Sequence, residues 1–166
     1  MLSARKATVD DAALIRELAS RVWAHTYKDI LSPEQLDYMF DMMYSIASLQ
    51  NQMGPQQHQF FIASRNGTPC GYVSVEQEGE QLFHLQKIYI VPEAQGTGTG
   101  RFLMQTAFEH VKRLCPDRSC TVELNVNREN KARQFYEHMG YQVVRSGDFP
   151  IGNGYYMNDY IMSITL

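Results

Sequence analysis

One junction constrains this chain more than any other feature. A β-rich run from Leu82 to Val91 stops at Pro92, and the segment Gln95-Gly96-Thr97-Gly98-Thr99-Gly100-Arg101 follows. Then Phe102, Leu103, Thr106, Ala107, Val111 and Leu114 recur at three- and four-residue steps as far as Pro116. Glycines between a strand end and the start of an amphipathic helix let backbone N–H groups approach an anion, and the helix N-terminus adds partial positive charge. The junction is therefore expected to hold phosphate rather than to act as a flexible linker between two ordered runs. Two familiar phosphate loops do not fit it. A Walker loop closes on Gly-Lys-Ser/Thr, whereas Gly100 is followed by Arg101-Phe102. A dinucleotide loop needs G-x-G-x-x-G after the first strand of a βαβ unit, whereas these glycines fall at 96, 98 and 100 after a strand expected to be antiparallel.

The rest of the chain alternates between element types. A strand is expected over Ser3 to Thr8, then a helix led by Asp10 and Asp11 with Leu14, Ile15, Leu18, Val22 and Trp23 at helical spacing. Ser32-Pro33-Glu34-Gln35 combines a capping hydroxyl with proline at the first helical position, so a second helix starts there. It continues or breaks near Tyr44, and Gly54-Pro55 ends the helical region. Phe60 to Ala63, the turn pair Asn66-Gly67 and Gly71 to Val75 read as a hairpin, which the run from Leu82 extends to a three-stranded meander. Beyond the glycine segment and its helix come a strand over Thr121 to Val126 and a helix over Glu129 to His138, stopped by Gly140. Strands over Tyr141 to Val144 and Tyr155 to Ile164 close the chain. The expected order is β-α-α-β-β-β-α-β-α-β-β, an α/β (α+β) arrangement forming one domain over residues 1–166.

Read as Gln95, Gly98 and Gly100, the glycine segment has the form Gln-x-x-Gly-x-Gly, and it resembles the acyl-CoA pyrophosphate loop of the GNAT N-acetyltransferases. Downstream, Asn130-Lys131-Ala132-Arg133-Gln134-Phe135-Tyr136-Glu137-His138-Met139-Gly140-Tyr141 is similar to that family's N-x-x-A-x-x-F-Y-x-x-x-G-[FY] signature. Both signatures occur in the family's order and on the expected elements. The resemblance implies the GNAT fold, a mixed and mostly antiparallel twisted sheet that splays between its fourth and fifth strands. It implies acetyl-CoA as cosubstrate, with the pantetheine arm lying in the splay against backbone groups of Ile88, Tyr89 and Ile90. Amides from Gln95, Gly96, Thr97, Gly98, Thr99, Gly100 and Arg101 hold the pyrophosphate in that picture, and Asn130 adds a cofactor contact.

For acetyl transfer the amine must lose a proton, the oxyanion needs a donor and the leaving thiolate benefits from an acid. Similarity to the family makes Tyr136 the acid and a backbone N–H, that of Ile88, the oxyanion donor. In the protein-acetylating branch a glutamate base lies eleven residues before the loop's first Gln. Here that position is His84, whose imidazole is a plausible base near neutral pH. Its neighbour Gln86 cannot take up a proton there. Acceptor pockets in the family are built from the first two helices and the last hairpin, which here carry Trp23, His25, Tyr27 and Tyr38, then Phe149, Tyr155 and Tyr156. Trp23, Tyr27 and Tyr155 are the candidate acceptor contacts, with Asp29, Glu34, Asp37 and Asp41 supplying negative charge for a cationic amine. The segment Thr26-Tyr27-Lys28-Asp29-Ile30 followed by Ser32-Pro33-Glu34, together with the ending Asp159-Tyr160-Ile161-Met162, is similar to the bacterial PaiA-type polyamine acetyltransferases, implying spermidine or spermine as acceptor. A peptide or amino-acid amine is the second expectation, and a CoA-binding regulatory module without catalysis is one of a different class.

Composition narrows the partners. With 15 Lys and Arg against 18 Asp and Glu, a formal charge of -3 and no dense basic run, the chain lacks the footprint of nucleic-acid binding. No tract is apolar enough to span a bilayer, and Met1-Leu2-Ser3-Ala4-Arg5-Lys6 lacks a secretory core, so a cytoplasmic location is expected. Cys70, Cys115 and Cys120 show no metal-ligand spacing and are expected as three reduced thiols, with no metal site. An exposed last strand could support a homodimer.

Overall fold

The structure is a computed structural model and describes residues Met1–Leu166. Its strands are β1 (Leu2–Lys6), β2 (Gln59–Arg65), β3 (Thr68–Gln77), β4 (Leu82–Ile90), β5 (Thr121–Asn127), β6 (Gln142–Gly152) and β7 (Tyr155–Thr165). They form one sheet in the order β1-β2-β3-β4-β5-β7-β6. The β4–β5 pair is parallel and the other neighbours are antiparallel. The helices are α1 (Ala12–Tyr27), α2 (Pro33–Tyr44), α3 (Ile46–Met53), α4 (Thr99–Leu114) and α5 (Ala132–His138).

Local chemistry explains most boundaries. Asn66 and Gly67 both take positive φ (51° and 84°), the geometry that joins β2 to β3 in a two-residue turn. Ser32 accepts from the Gln35 amide at 3.1 Å and starts α2 as expected. Of the two alternatives left open near Tyr44 the chain takes the break, so the helical region before β2 contains three helices where the expected order counted two. Ser45 is extended (φ -59°, ψ 151°) and its Oγ accepts from the Ser48 amide at 3.1 Å, so one residue ends α2 and caps α3. The strand expected over Tyr141 to Val144 is also longer than anticipated. It runs to Gly152 because β6 is the sheet's exposed edge, where Pro150 costs no ladder bond, and Asn153-Gly154 form its turn.

The sheet carries helices on both faces. On one, α4 packs over β1 to β4, with Gly71 against Leu103 and the Phe61 ring 5.2 Å from His110. Tyr72, the next residue along β3 and so on the opposite face, meets Tyr44 of α2, while Trp23 of α1 meets Tyr89. The parallel β4–β5 ladder runs only from Leu82↔Thr121 to Leu85↔Leu124. β5 then follows β7 as far as Asn127↔Asp159, and β4 stays with β3 as far as Ile90↔Gly71. The two strands diverge beyond Leu85, which is the splay expected from the resemblance.

The cysteine expectation is corrected at two of three positions. The C-terminus of α4 and the approach to β5 bring Cys115 and Cys120 together with Cα atoms 6.8 Å apart, and they form a disulfide. Only Cys70 is a free thiol, and it is buried. The five-residue spacing carries no recognisable motif, so the pairing depended on the path of the turn. No helix is long and apolar enough to cross a membrane.

Candidate active site

The open side of β4 is a row of backbone groups. Val91 N donates to Cys70 O at 2.9 Å, so the backbone of Val91, and of Tyr89 two residues back, turns toward β3. By the same alternation Ile88 and Ile90 turn toward the gap, where β5 has moved away. At the top of the gap a short 3-10 turn (Pro92–Ala94) leads to Gln95, whose Nε2 donates to Ile90 O at 3.2 Å. Gly96 and Gly98 take positive φ of 75° and 84°, which only glycine adopts without cost. Gly98 caps α4 without a side chain, and Phe102 N donating to Gly98 O is the helix's first bond, so the amides of the first turn are bare. A side chain at Gly100 would come within 3.3 Å of the Phe135 ring and 3.4 Å of Ile90, so α5 and β4 close around the same turn. Thr97 is braced by Ala94 O and by Thr99 Oγ1 at 2.9 Å. Arg101 is exposed in the first turn. Arg65, which the sequence did not single out, reaches over from the β2–β3 hairpin to Thr97 O at 3.4 Å.

Three tyrosines and two polar groups gather at the gap. Tyr136 of α5 is 9% exposed, its ring against Phe135 and Tyr141, and its hydroxyl bonds to no protein group. Burial raises its phenol above the usual range, so it stays protonated. Tyr27, at the end of α1, shares a 3.0 Å hydrogen bond with the Tyr89 hydroxyl of β4. Burial raises Tyr27 as well, the Asn130 amide opposes this, and the Asp159 carboxylate adds to it. Asn130 Oδ1 accepts from Ala132 N at 2.9 Å, so half of the expected cofactor contact braces the turn leading into α5. Asp159 was quoted in the sequence only as part of a resemblance. It is 2% exposed, and one oxygen accepts from Asn125 Nδ2 at 3.2 Å. A lone carboxylate in the last strand was the available signal.

A bulge shapes the lower end of β4. Ser74 pairs with Lys87 and Val75 with Leu85, leaving Gln86 as the extra residue. Gln86 and Lys87 therefore share one face: Gln86 Nε2 donates to Glu76 at 2.8 Å, and Lys87 Nζ donates to Gln52 of α3 at 2.7 Å. His84 lies on this face below the gap, opposite Glu76 on β3 and Glu123 on β5, with Nδ1 3.7 Å from Glu78. Burial lowers its pKa, while Glu78, Glu123 and Glu76 pull it back. The fold thus separates His84 from the tyrosine cluster, the two occupying the foot and the upper part of one face.

The acceptor candidates divide. Trp23 is 2% exposed, its Nε1 donates to the Tyr44 hydroxyl at 3.2 Å, and its ring packs on Tyr27, Phe40 and Tyr44. It is core, which corrects its placement among the pocket residues; helical spacing cannot tell a core aromatic from a lining one. Tyr155 lies 5.4 Å from the Tyr38 ring and lines an open cavity of about 400 Å³ with Gln35, Asp148, Gly154, Tyr156 and Asn158. Tyr38 donates to Ile151 O at 2.8 Å and Gln35 to Tyr156 O at 2.9 Å, so α2 grips the last hairpin around that cavity.

Comparison with known proteins agrees with this geometry. An N-acetyltransferase of Mycobacterium bovis, itself uncharacterized, is 24% identical over 92% of this chain and 96% of its own. The solved structure of the PaiA N-acetyltransferase from Thermoplasma acidophilum, in complex with coenzyme A, superposes with a TM-score of 0.82 at 23% identity, covering 100% of this chain and 99% of that one. Mutant forms of the spermidine/spermine N-acetyltransferase SpeG from Vibrio cholerae give 0.66 at 20% identity over 99% and 95%. The family model described as the acetyltransferase (GNAT) domain matches residues 27–162, and the chain belongs to the GNAT acetyltransferase family.

Proposed function

We propose that the protein transfers the acetyl group of acetyl-CoA to a primary amine by direct attack in a ternary complex, and that the acceptor is a polyamine or similar small cationic amine. The observation that carries this is the gap between β4 and β5 with the bare first turn of α4 at its head, and the reading is supported by Tyr136 of α5, whose phenol is coupled to those of Tyr27 and Tyr89. Outward-facing backbone at Ile88 and Ile90 suits an amide-bearing arm laid along β4, and the amides from Gly96 to Arg101 suit a pyrophosphate. Gly96 and Gly98, bent where other residues resist, keep that cradle open to an anion. Tyr136 fits the acid that protonates the departing thiolate, since its phenol is neutral and uncommitted. The N–H of Ile88 fits the donor that steadies the oxyanion. His84, held neutral by burial, fits the base that draws the amine proton through water from the foot of the gap. The polyamine acceptor is supported by the names of the PaiA and SpeG neighbours and by the aromatic and acidic lining near Tyr155 and Asp148.

Thiol release from acetyl-CoA with purified protein, across spermidine, spermine, single amino acids and short peptides, tests this. Release with the polyamines is expected. Release with peptides alone overturns the acceptor assignment. No release with any amine, while acetyl-CoA still raises the melting temperature, replaces the enzyme with a CoA-binding module.

A further inference from the structure

Resting on the transferase function proposed above, we propose that the Asp159 carboxylate, held by Asn125 on the β5–β7 side of the gap, receives the positive charge of the acceptor amine and so restricts acceptors to cationic amines. Asn127↔Asp159 is the last β5–β7 pair, three residues beyond the point where β4 departs, so Asp159 stands where β5 has no partner on its other side. Residues opposite one another in an antiparallel pair share a face, which places Asp159 with Asn125 and Asn127. That is the face approached by Tyr27, whose phenol feels the Asp159 charge while bonding to Tyr89 across the gap. Asp159 therefore belongs to the same cluster as the tyrosines.

Its own bonding is incomplete. The residue is 2% exposed, yet only one carboxylate oxygen has a protein donor, the Asn125 amide, and no Lys, Arg or His forms an ion pair with it. Arg128, the cation whose charge acts on it, is bonded to Asp148 instead. A buried carboxylate without a cation costs stability, and burial raises its pKa accordingly. A group kept for the fold would be expected to have its charge matched within the fold. One matched by an incoming ammonium would be left as Asp159 is, with one oxygen that accepts from no protein donor.

The test is titration calorimetry in the presence of coenzyme A, comparing the wild-type protein with Asp159→Asn and Asp159→Glu. The probes are spermidine, 1,4-diaminobutane and n-butylamine, and thermal melts are run alongside. Asp159→Asn is expected to weaken spermidine and diaminobutane by about 30-fold or more, the scale of losing one partner of a desolvated charge pair. Asp159→Glu should recover part of that loss. The coenzyme A melting shift should be unchanged, and the Asp159→Asn midpoint equal to or above wild type. Equal loss for n-butylamine means that the reacting nitrogen is held, and loss confined to the two polyamines means that a second ammonium is held; either pattern supports the inference. Unchanged amine binding in Asp159→Asn overturns it, as does a wild-type protein that binds no amine, or loss of binding together with a lowered midpoint. Acetyl transfer is assayed separately: transfer by wild type with amine affinity indifferent to Asp159 sinks this inference alone, whereas absence of transfer sinks the function and leaves the binding result to stand.

Discussion

Tyr136 is fixed by packing and by no polar bond of its own, which makes its hydroxyl separable from the fold. Tyr136→Phe is therefore expected to lower kcat by roughly two to four orders of magnitude, the usual worth of a positioned acid, with acetyl-CoA still raising the melting temperature as in wild type. Steady-state thiol release beside a thermal melt checks both halves. His84 makes a separate prediction. Its folded pKa lies below the ordinary imidazole value, so the base form persists to lower pH than in a free histidine. The kcat/KM profile should fall on its acid side below pH ~6.5, and His84→Gln should be slow and lack that limb; an unchanged limb would remove His84 from the reaction. Of these residues, Tyr136, the loop glycines and Gln95 were legible because each sits in a spaced signature tied to one backbone geometry. Asp159 and Arg65 were not, because their partners lie 34 and 32 residues away in sequence.

Among the elements, β4 carries the most conflicting demands. Its bulge at Gln86 turns two consecutive polar side chains to one face, and Lys87 is thereby buried over the Tyr44 and Phe60 rings, at 5.7 and 5.6 Å, with Gln52 as its bonded acceptor. Burial holds its ammonium at a pKa of about 8, against the pull of Glu76. Because the folded chain releases this proton before the unfolded chain does, stability is lowered in full below pH 8 and recovers as pH rises toward the lysine value of ~10.4. Lys87→Met should abolish that rise and stabilise the protein near pH 7 by on the order of 3 kcal/mol, less the lost Gln52 bond. Urea unfolding between pH ~7 and ~9.5 measures it, a window that stops short of tyrosine ionisation near 10. A steeper dependence in the variant would refute the assignment. Element type and order were readable from periodicity, proline and capping serines, whereas the bulge was not, since it appears only when β3 and β4 are laid side by side.

Across the whole molecule, the site is closed by segments far apart in sequence. Tyr38 and Gln35 hold the β6–β7 hairpin through backbone carbonyls 113 and 121 residues away, and they frame the cavity beside Tyr155. Tyr38→Phe removes one such bond, worth about 1 kcal/mol, and should raise the acceptor KM about fivefold while leaving the acetyl-CoA KM unchanged. Hydrogen exchange at residues 150–157 should quicken in the same variant; equal exchange with a raised acceptor KM would mean that the phenol touches the acceptor rather than the hairpin. The amino-acid sequence by itself determined the element order, the glycine cradle before α4 and the helix bearing Tyr136, because turn, cap and period are local and act within a few residues. Tertiary structure decided the rest: that Trp23 is core, that Cys115 and Cys120 meet, that His84 stands apart from the tyrosines and that Asp159 joins them. The first depends on which face of α1 packs inward and the second on the path of the turn after α4, while the last two are matters of strand register and face, and register is settled only when the whole sheet buries both of its sides at once.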